Sequence, residues 1–274
     1  MATLIWTGVT DGDFSKAANF IDESTGVAPA SPPANSDTIK FDRGAVDVDA
    51  GLTTGLTGLT IIGTRNYAGR IAPGGALSAT FTLVRWSAGY LSLTGNITTG
   101  NIACRRGEKF NYAGGTATDL WLGCDATLTG VVTNLRGKGS YVVDDADATA
   151  YTLAHLTGGM RLYSKRGGVY DVGAGCVVET LTDAQLGDES YIRSGGRIKV
   201  KSNADTVDAV EVEPNGTLDL SECPKAITIG TLRRWEGANV NLFTQAGAAT
   251  VSSEVVYGLS YGGMATSAGS PIPL

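Results

Sequence analysis

From Thr38 onward the chain is written in short alternating runs of apolar and polar residues, such as TIKF, VDVD and LTGLTII. Alternation with a period of two places every second side chain on one face of a strand. From about residue 74 a physical unit recurs without repeating its letters: a Gly- or Asn-containing corner, then an apolar-x-apolar strand. Gly89-Tyr-Leu91-Ser-Leu93, Gly159-Met160-Arg-Leu162, Gly168-Val169-Tyr-Asp-Val172, Gly196-Arg-Ile198-Lys-Val200, Gly216-Thr-Leu218-Asp-Leu220 and Gly237-Ala-Asn-Val240-Asn-Leu242 all follow it. Second strands, Val207–Val212 and Ala226–Ile229, lie between the later units. Ile198 to Leu218 is 20 residues and Leu218 to Val240 is 22. Coils of that length predict an all-β chain folded as a right-handed parallel β-helix, each coil burying its inward residues against those above and below. Earlier spacings are shorter, 14 from residue 77 to 91 and 9 from 160 to 169. A β-sandwich is the alternative, because it gives similar alternation with hairpin turns.

The two ends differ from this body. Residues 1–43 hold Trp6, Phe14, Phe20 and Phe41 together with Pro29, Pro32 and Pro33. SKAANF can form one helical turn, and STGVAPASPPANSD must be an irregular loop. A solenoid exposes backbone at its ends, so 1–43 is expected to cap the body, 44–256. The tail, 257–274, is uncharged from Tyr257 on and ends Pro-Ile-Pro-Leu; Tyr261, Pro271 and Pro273 are its candidate contact residues if it docks on a neighbouring subunit. Thr182–Glu189 is the one stretch that reads as helical.

Composition supports this reading. The 274 residues include 38 glycines, roughly twice the usual share, and 32 threonines, but only 8 lysines and 9 glutamates. Thr favours pleated strands and Gly tight turns, whereas long surface helices carry Glu and Lys. A helical protein is excluded and an α/β nucleotide enzyme is disfavoured; the length suits one solenoid domain rather than two. The formal net charge of −6 gives no global attraction to nucleic acid or to an acidic membrane surface. No run reaches the ~20 apolar residues of a membrane helix. MATLIWTG has neither the basic region nor the apolar stretch of a secretory signal, so synthesis and use without Sec export are expected.

Candidate chemistry is sparse. Cys104, Cys124, Cys176 and Cys223 form no CxxC or Cys/His cluster, so they read as buried small hydrophobes rather than zinc ligands or a disulfide scaffold. The 20-residue gap between Cys104 and Cys124 is compatible with neighbouring coils. His155 is the single histidine, without a nucleophile motif, and reads as a half-buried strand residue. Asp144, Asp145 and Asp147 form one acidic group, Glu211 and Glu213 another; both read as solvated turn or strand charges. Asp11-Gly-Asp13 and Asp47-Val-Asp49 resemble fragments of calcium loops but lack the remaining ligands. Arg105-Arg106, Lys165-Arg166 and Arg233-Arg234 are short basic spots, read as a solvated face or protein contact. No catalytic residue, cofactor-binding residue or metal ligand is assigned, and no cofactor.

Trp6-Thr-Gly8, Gly12-Asp13-Phe14-Ser-Lys-Ala17-Ala18-Asn19-Phe20 and Pro33-Ala-Asn35-Ser-Asp37-Thr-Ile39-Lys-Phe41, followed by Leu56-Thr-Gly-Leu59-Thr-Ile61, resemble the opening segment of β-helical bacteriophage virion proteins, found also in some bacterial surface β-helices. The resemblance covers about the first 60 residues, with Phe20 where the pattern often has Trp. It implies a non-enzymatic phage structural protein of the virion, with a capsid decoration (cement) protein as the expected role, made in the host bacterial cytoplasm. Its expected partners are itself, as a homotrimer, and the major capsid protein or other virion subunits, with no nucleic acid or membrane. It transfers no catalytic residue. Trp6, Phe14 and Phe20 are the candidate packing or contact residues. The alternatives are a tailspike-like protein that binds or cleaves glycans, with Trp86, Trp121 or Trp235 stacking on sugars, and a bacterial surface adhesin.

Overall fold

The computed structural model describes residues 1–49, 55–71, 77–105, 109–146, 150–181, 184–202 and 206–258. Its strands make a parallel β-solenoid of about 10 turns, divided between two compact units, Met1–Arg136 and Gly137–Leu274. The division falls inside the stretch that the sequence reads as a single body.

In the first unit, strand Thr3–Trp6 runs antiparallel to Phe20–Asp22 and parallel to Thr38–Phe41. Leu56–Gly63, Leu77–Trp86, Leu91–Cys104 and Thr116–Leu122 then stack in parallel on one face. A second face begins with the parallel bridges Val48–Ile71 and Ile71–Leu91 and continues from the start of Leu91–Cys104 through Phe110–Ala113 and Ala126–Leu128. Leu4, Ile39, Ile61, Val84, Ile102 and Leu120 fall in register as one column, and all are buried. Each such aliphatic side chain contributes on the order of 2 kcal/mol by leaving water. Gly63 lies opposite Trp86 in the next coil, where a Cβ would come within 2.2 Å of Cε3; only glycine leaves room for the indole.

The second unit carries two parallel stacks. One contains Tyr151–Thr157, Gly168–Val172, Ser190–Ile192, Thr206–Val212, Thr228–Trp235 and Thr250–Tyr257. The other contains Tyr141–Asp144, Arg161–Ser164, Val177–Thr180, Arg197–Val200, Thr217–Asp219 and Asn239–Asn241. Leu162, Val178, Ile198, Leu218 and Val240 stand in one column, so the 20- and 22-residue spacings are coil lengths. The shorter spacing arises because Leu162 and Val169 belong to different stacks. One corner repeats in left-handed backbone at Gly175, Gly195, Asn215 and Gly237, and backbone hydrogen bonds link successive members at 2.9, 3.3 and 2.9 Å. Gly, and Asn among the other residues, adopt that conformation at least cost.

One expectation is corrected. Residues 184–189 are not helical: Leu186 bridges Gly168 of the preceding coil, and Ala184 and Leu186 are both buried. Two apolar residues at i and i+2 reach the same interior from extended chain. Thr182 and Asp183 lie outside the described residues.

Candidate functional surface

The opening motif is an architectural device. Trp6 meets Phe14, Phe20 and Phe41 at ring-centroid distances of 6.1, 5.2 and 6.0 Å, and Phe41 continues to Tyr67 and Trp86 at 5.2 and 5.7 Å. The polar tips are satisfied: Trp6 Nε1 and Tyr67 OH both donate to the Val46 carbonyl, at 3.1 and 2.7 Å. Asn19 is wholly buried and ties the motif's loop, donating to Asp11 Oδ1 and the Asp13 carbonyl and accepting from the Thr10 amide. Asp37 accepts from the amides of Ala2 and Ala34 at 2.6 and 2.9 Å. Trp6, Phe14 and Phe20 are therefore packing residues, at most 1% exposed, with no ring area for a partner. Tyr261, Pro271 and Pro273 lie outside the described residues.

Two charged groups expected on the surface are inside. Asp144 and Arg166 have fully buried side chains and face each other at 2.6 Å, Nε to Oδ2. The same carboxylate oxygen accepts from Tyr151 OH and, at 3.3 Å, from Ser164 Oγ. The guanidinium lies over the Tyr151 ring at 3.9 Å, and Tyr170 OH donates to the Arg166 carbonyl. Burial pushes the Tyr151 phenol well up from its ordinary value, and the Asp144 charge adds to that. Asp144 and Ser164 are register partners and Arg166 lies two residues on, so a one-coil spacing joins acid and base. Read as separate clusters, the two motifs hide this.

Other acids are engaged in turns and ladders, and Asp147 lies outside the described residues. His155 Nδ1 is 2.9 Å from Asp171 Oδ2, and the other oxygen of Asp171 takes Arg193 Nε at 2.7 Å. Arg193 Nη1 reaches Glu213 at 3.0 Å, and Glu211 accepts from Trp235 Nε1 at 3.3 Å. Asp47 grips Arg70 at 3.0 Å. Asp11 is paired with Lys16 and bonded to Asn19, which together hold its carboxyl down at about 2. Among the described residues no group of three or more His, Cys, Asp and Glu is placed to hold a metal ion. The four cysteines are buried and free. Cys104 and Cys124 occupy neighbouring coils with their sulfurs 2.9 Å apart, and their shared hydrogen bond, then burial, pushes the Cys104 thiol up.

Among the described residues, the final strand Thr250–Tyr257 offers an open edge for association. Strand Thr250–Tyr257 pairs along seven positions with Thr228–Trp235, and among the described residues with no strand on its other side. The interior columns change character here: Leu232 is followed by Glu254 and Val212 by Arg234, and those two charges pair at 2.6 Å, each 40% exposed. Val256, the register partner of Arg234, is 47% exposed, Phe243 in the preceding hairpin is 69% exposed, and the Trp235 and Tyr257 rings meet at a tilt, with centroids 4.9 Å apart. No helix among the described residues is long and apolar enough to cross a membrane. Comparison of the chain with protein-family models, with curated proteins and with solved structures gives no match.

Proposed function

We propose that the chain is a non-enzymatic structural component of a bacteriophage virion, a decoration (cement) protein that reinforces the shell through contacts with its own copies, as a trimer, and with the major capsid protein. The observation that carries this reading is the strand Thr250–Tyr257, an edge strand among the described residues, eight residues long with one charged side chain, itself neutralised by Arg234. Soluble proteins blunt such edges with charge, proline or bulges, because an open row of amides and carbonyls pairs with other chains. An assembly protein keeps it. The resemblance of the opening segment to phage virion proteins supplies the setting, and a rigid stack of coils suits repeated modest contacts summed over a closed shell. The chain is then made in the host cytoplasm and resides on the virion.

Quantitative mass spectrometry of purified particles tests this. Copy numbers on the order of hundreds per particle are expected, since a shell repeats its contacts by symmetry. Absence from the particle, or a stoichiometry of a few tens or fewer as in a tail, overturns the reading.

A further inference from the structure

Residues 77–136 hold five basic and three acidic residues in a chain whose net charge is −6. Part of that excess gathers on one outward face of the first unit. Arg85, Ala103 and Trp121 are register partners in three successive coils. The next outward column is Ser87, Arg105 and Gly123, whose coils are joined by the Arg105 amide on the Trp86 carbonyl at 3.1 Å and the Gly123 amide on the Cys104 carbonyl at 2.8 Å. The two arginines therefore stand diagonally, with small residues at the other corners. Between them lies a depression of about 280 Å³ lined by Arg85, Ser87, Ala103 and Arg105. Gly123 keeps its edge low, since a Cβ there would meet the Arg105 carbonyl at 2.4 Å.

Two features mark this place. Arg85 and Arg105 are exposed and, among the described residues, neither guanidinium has a carboxylate or hydrogen-bond partner, a condition shared with Arg65 and Arg161, whereas Arg166, Arg193, Arg197, Arg233 and Arg234 each hold a carboxylate. Like charges sharing a depression repel until an anion joins them. Trp121 is 43% exposed, while Trp6 and Trp86 are completely buried. Arg136 lies over its ring at 4.8 Å and braces it. The acid on that strand, Asp119, accepts from Asn134 at 3.1 Å.

We propose that this depression is a binding site for an acidic saccharide. The two guanidiniums take the carboxylate of one sugar unit, for which their forked donors are suited. The indole, one coil beyond Arg105 and about 5 Å away along the stack, covers the apolar C–H face of the adjoining ring. A nucleic acid is the poorer fit. Its phosphates call for a continuing basic track, and in this column Arg85 is preceded by Ile62 and followed by Ala103.

The test is titration of the intact protein with oligogalacturonate, followed by calorimetry and tryptophan fluorescence. Parallel arms use the methyl-esterified oligomer, a Glu-rich peptide and single-stranded DNA. Saturable binding of the uronate is expected, with a change in the Trp121 signal that Trp121→Phe removes. Arg85→Ala with Arg105→Ala weakens it by about tenfold or more, as loss of a charge-assisted pair implies, and esterification abolishes it. All these side chains are exposed, so unchanged thermal midpoints of the variants show that folding is intact. No saturation up to ~5 mM, weaker than any specific site, overturns the proposal. So does binding that survives the double variant, or equal binding of the peptide or DNA through the same residues.

Discussion

Replacing Arg166 by Met strands the Asp144 carboxylate in the interior of the second unit. Water does not reach it there, since both side chains are fully buried with Nε to Oδ2 at 2.6 Å, and the donors that remain, Tyr151 OH, Ser164 Oγ and the Ala146 amide, are neutral. Removing one partner of a buried ion pair costs about 3–5 kcal/mol, because the survivor keeps its desolvation penalty without its counter-charge. Asp144→Asn exposes the guanidinium to the same penalty, so its cost falls in the same range of about 3–5 kcal/mol. The double variant removes both charges, while the Asn side chain can still accept from Tyr151 OH. It is expected to be no less stable than either single variant, giving a coupling energy of at least ~3 kcal/mol. Urea unfolding of the wild type and three variants, followed by circular dichroism and tyrosine fluorescence, measures the cycle. In thermal unfolding the single variants should lower the transition by roughly 10–20 °C for a unit of this size. The reasoning is refuted if the two single losses add in the double variant, or if either single loss is below about 1 kcal/mol, the scale of an exposed pair.

Cys104 and Cys124, with sulfurs 2.9 Å apart, should be cross-linked within the chain by diamide, which accepts the two thiol hydrogens as the S–S bond forms; peptide mapping should find Cys176 and Cys223 still free. Closing this 20-residue loop should raise stability by about 3 kcal/mol, and failure of the folded protein to lose two thiols sinks this expectation. The Asp11 carboxyl, held down by Lys16 and Asn19, should titrate in an NMR experiment with a midpoint of about 2. Because the folded value lies below the unfolded one, its stabilising contribution is present above the ordinary carboxylate range and is lost as pH falls toward that midpoint; Asn19→Ala should move the midpoint up.

The coil length was legible because Ile198, Leu218 and Val240 share a column, and alternation exposes such a column directly in the letters. Val142 and Leu162 obey the same rule, but their coils interleave two stacks, so adjacent apolar runs give misleadingly short spacings. The opening motif stands out in the string, although its individual roles do not: nothing there tells that Asn19 is buried while Lys16 is exposed. Parity would have separated the tryptophans. Trp86 is in register with Cys104 and Leu122, which face inward, so Trp121, one residue before Leu122, must face out. The Asp144–Arg166 pair is hidden in the string because its members sit in two separate charge clusters along the chain, and the interaction that matters runs across one coil.

The register of the second unit has a consequence for how such a chain changes over time. Arg197–Val200 lies on Val177–Thr180 below it and Thr217–Asp219 above it, each partner offset by 20 residues. Excising one such coil brings Val178 onto Leu218, aliphatic on aliphatic, with Gly175 and Asn215 meeting at the corner. The body can thus shorten or lengthen in whole steps of about 4.8 Å without rewriting its interior. Span is a quantised and readily inherited variable in this architecture, while the decorated face of each coil is free to diverge.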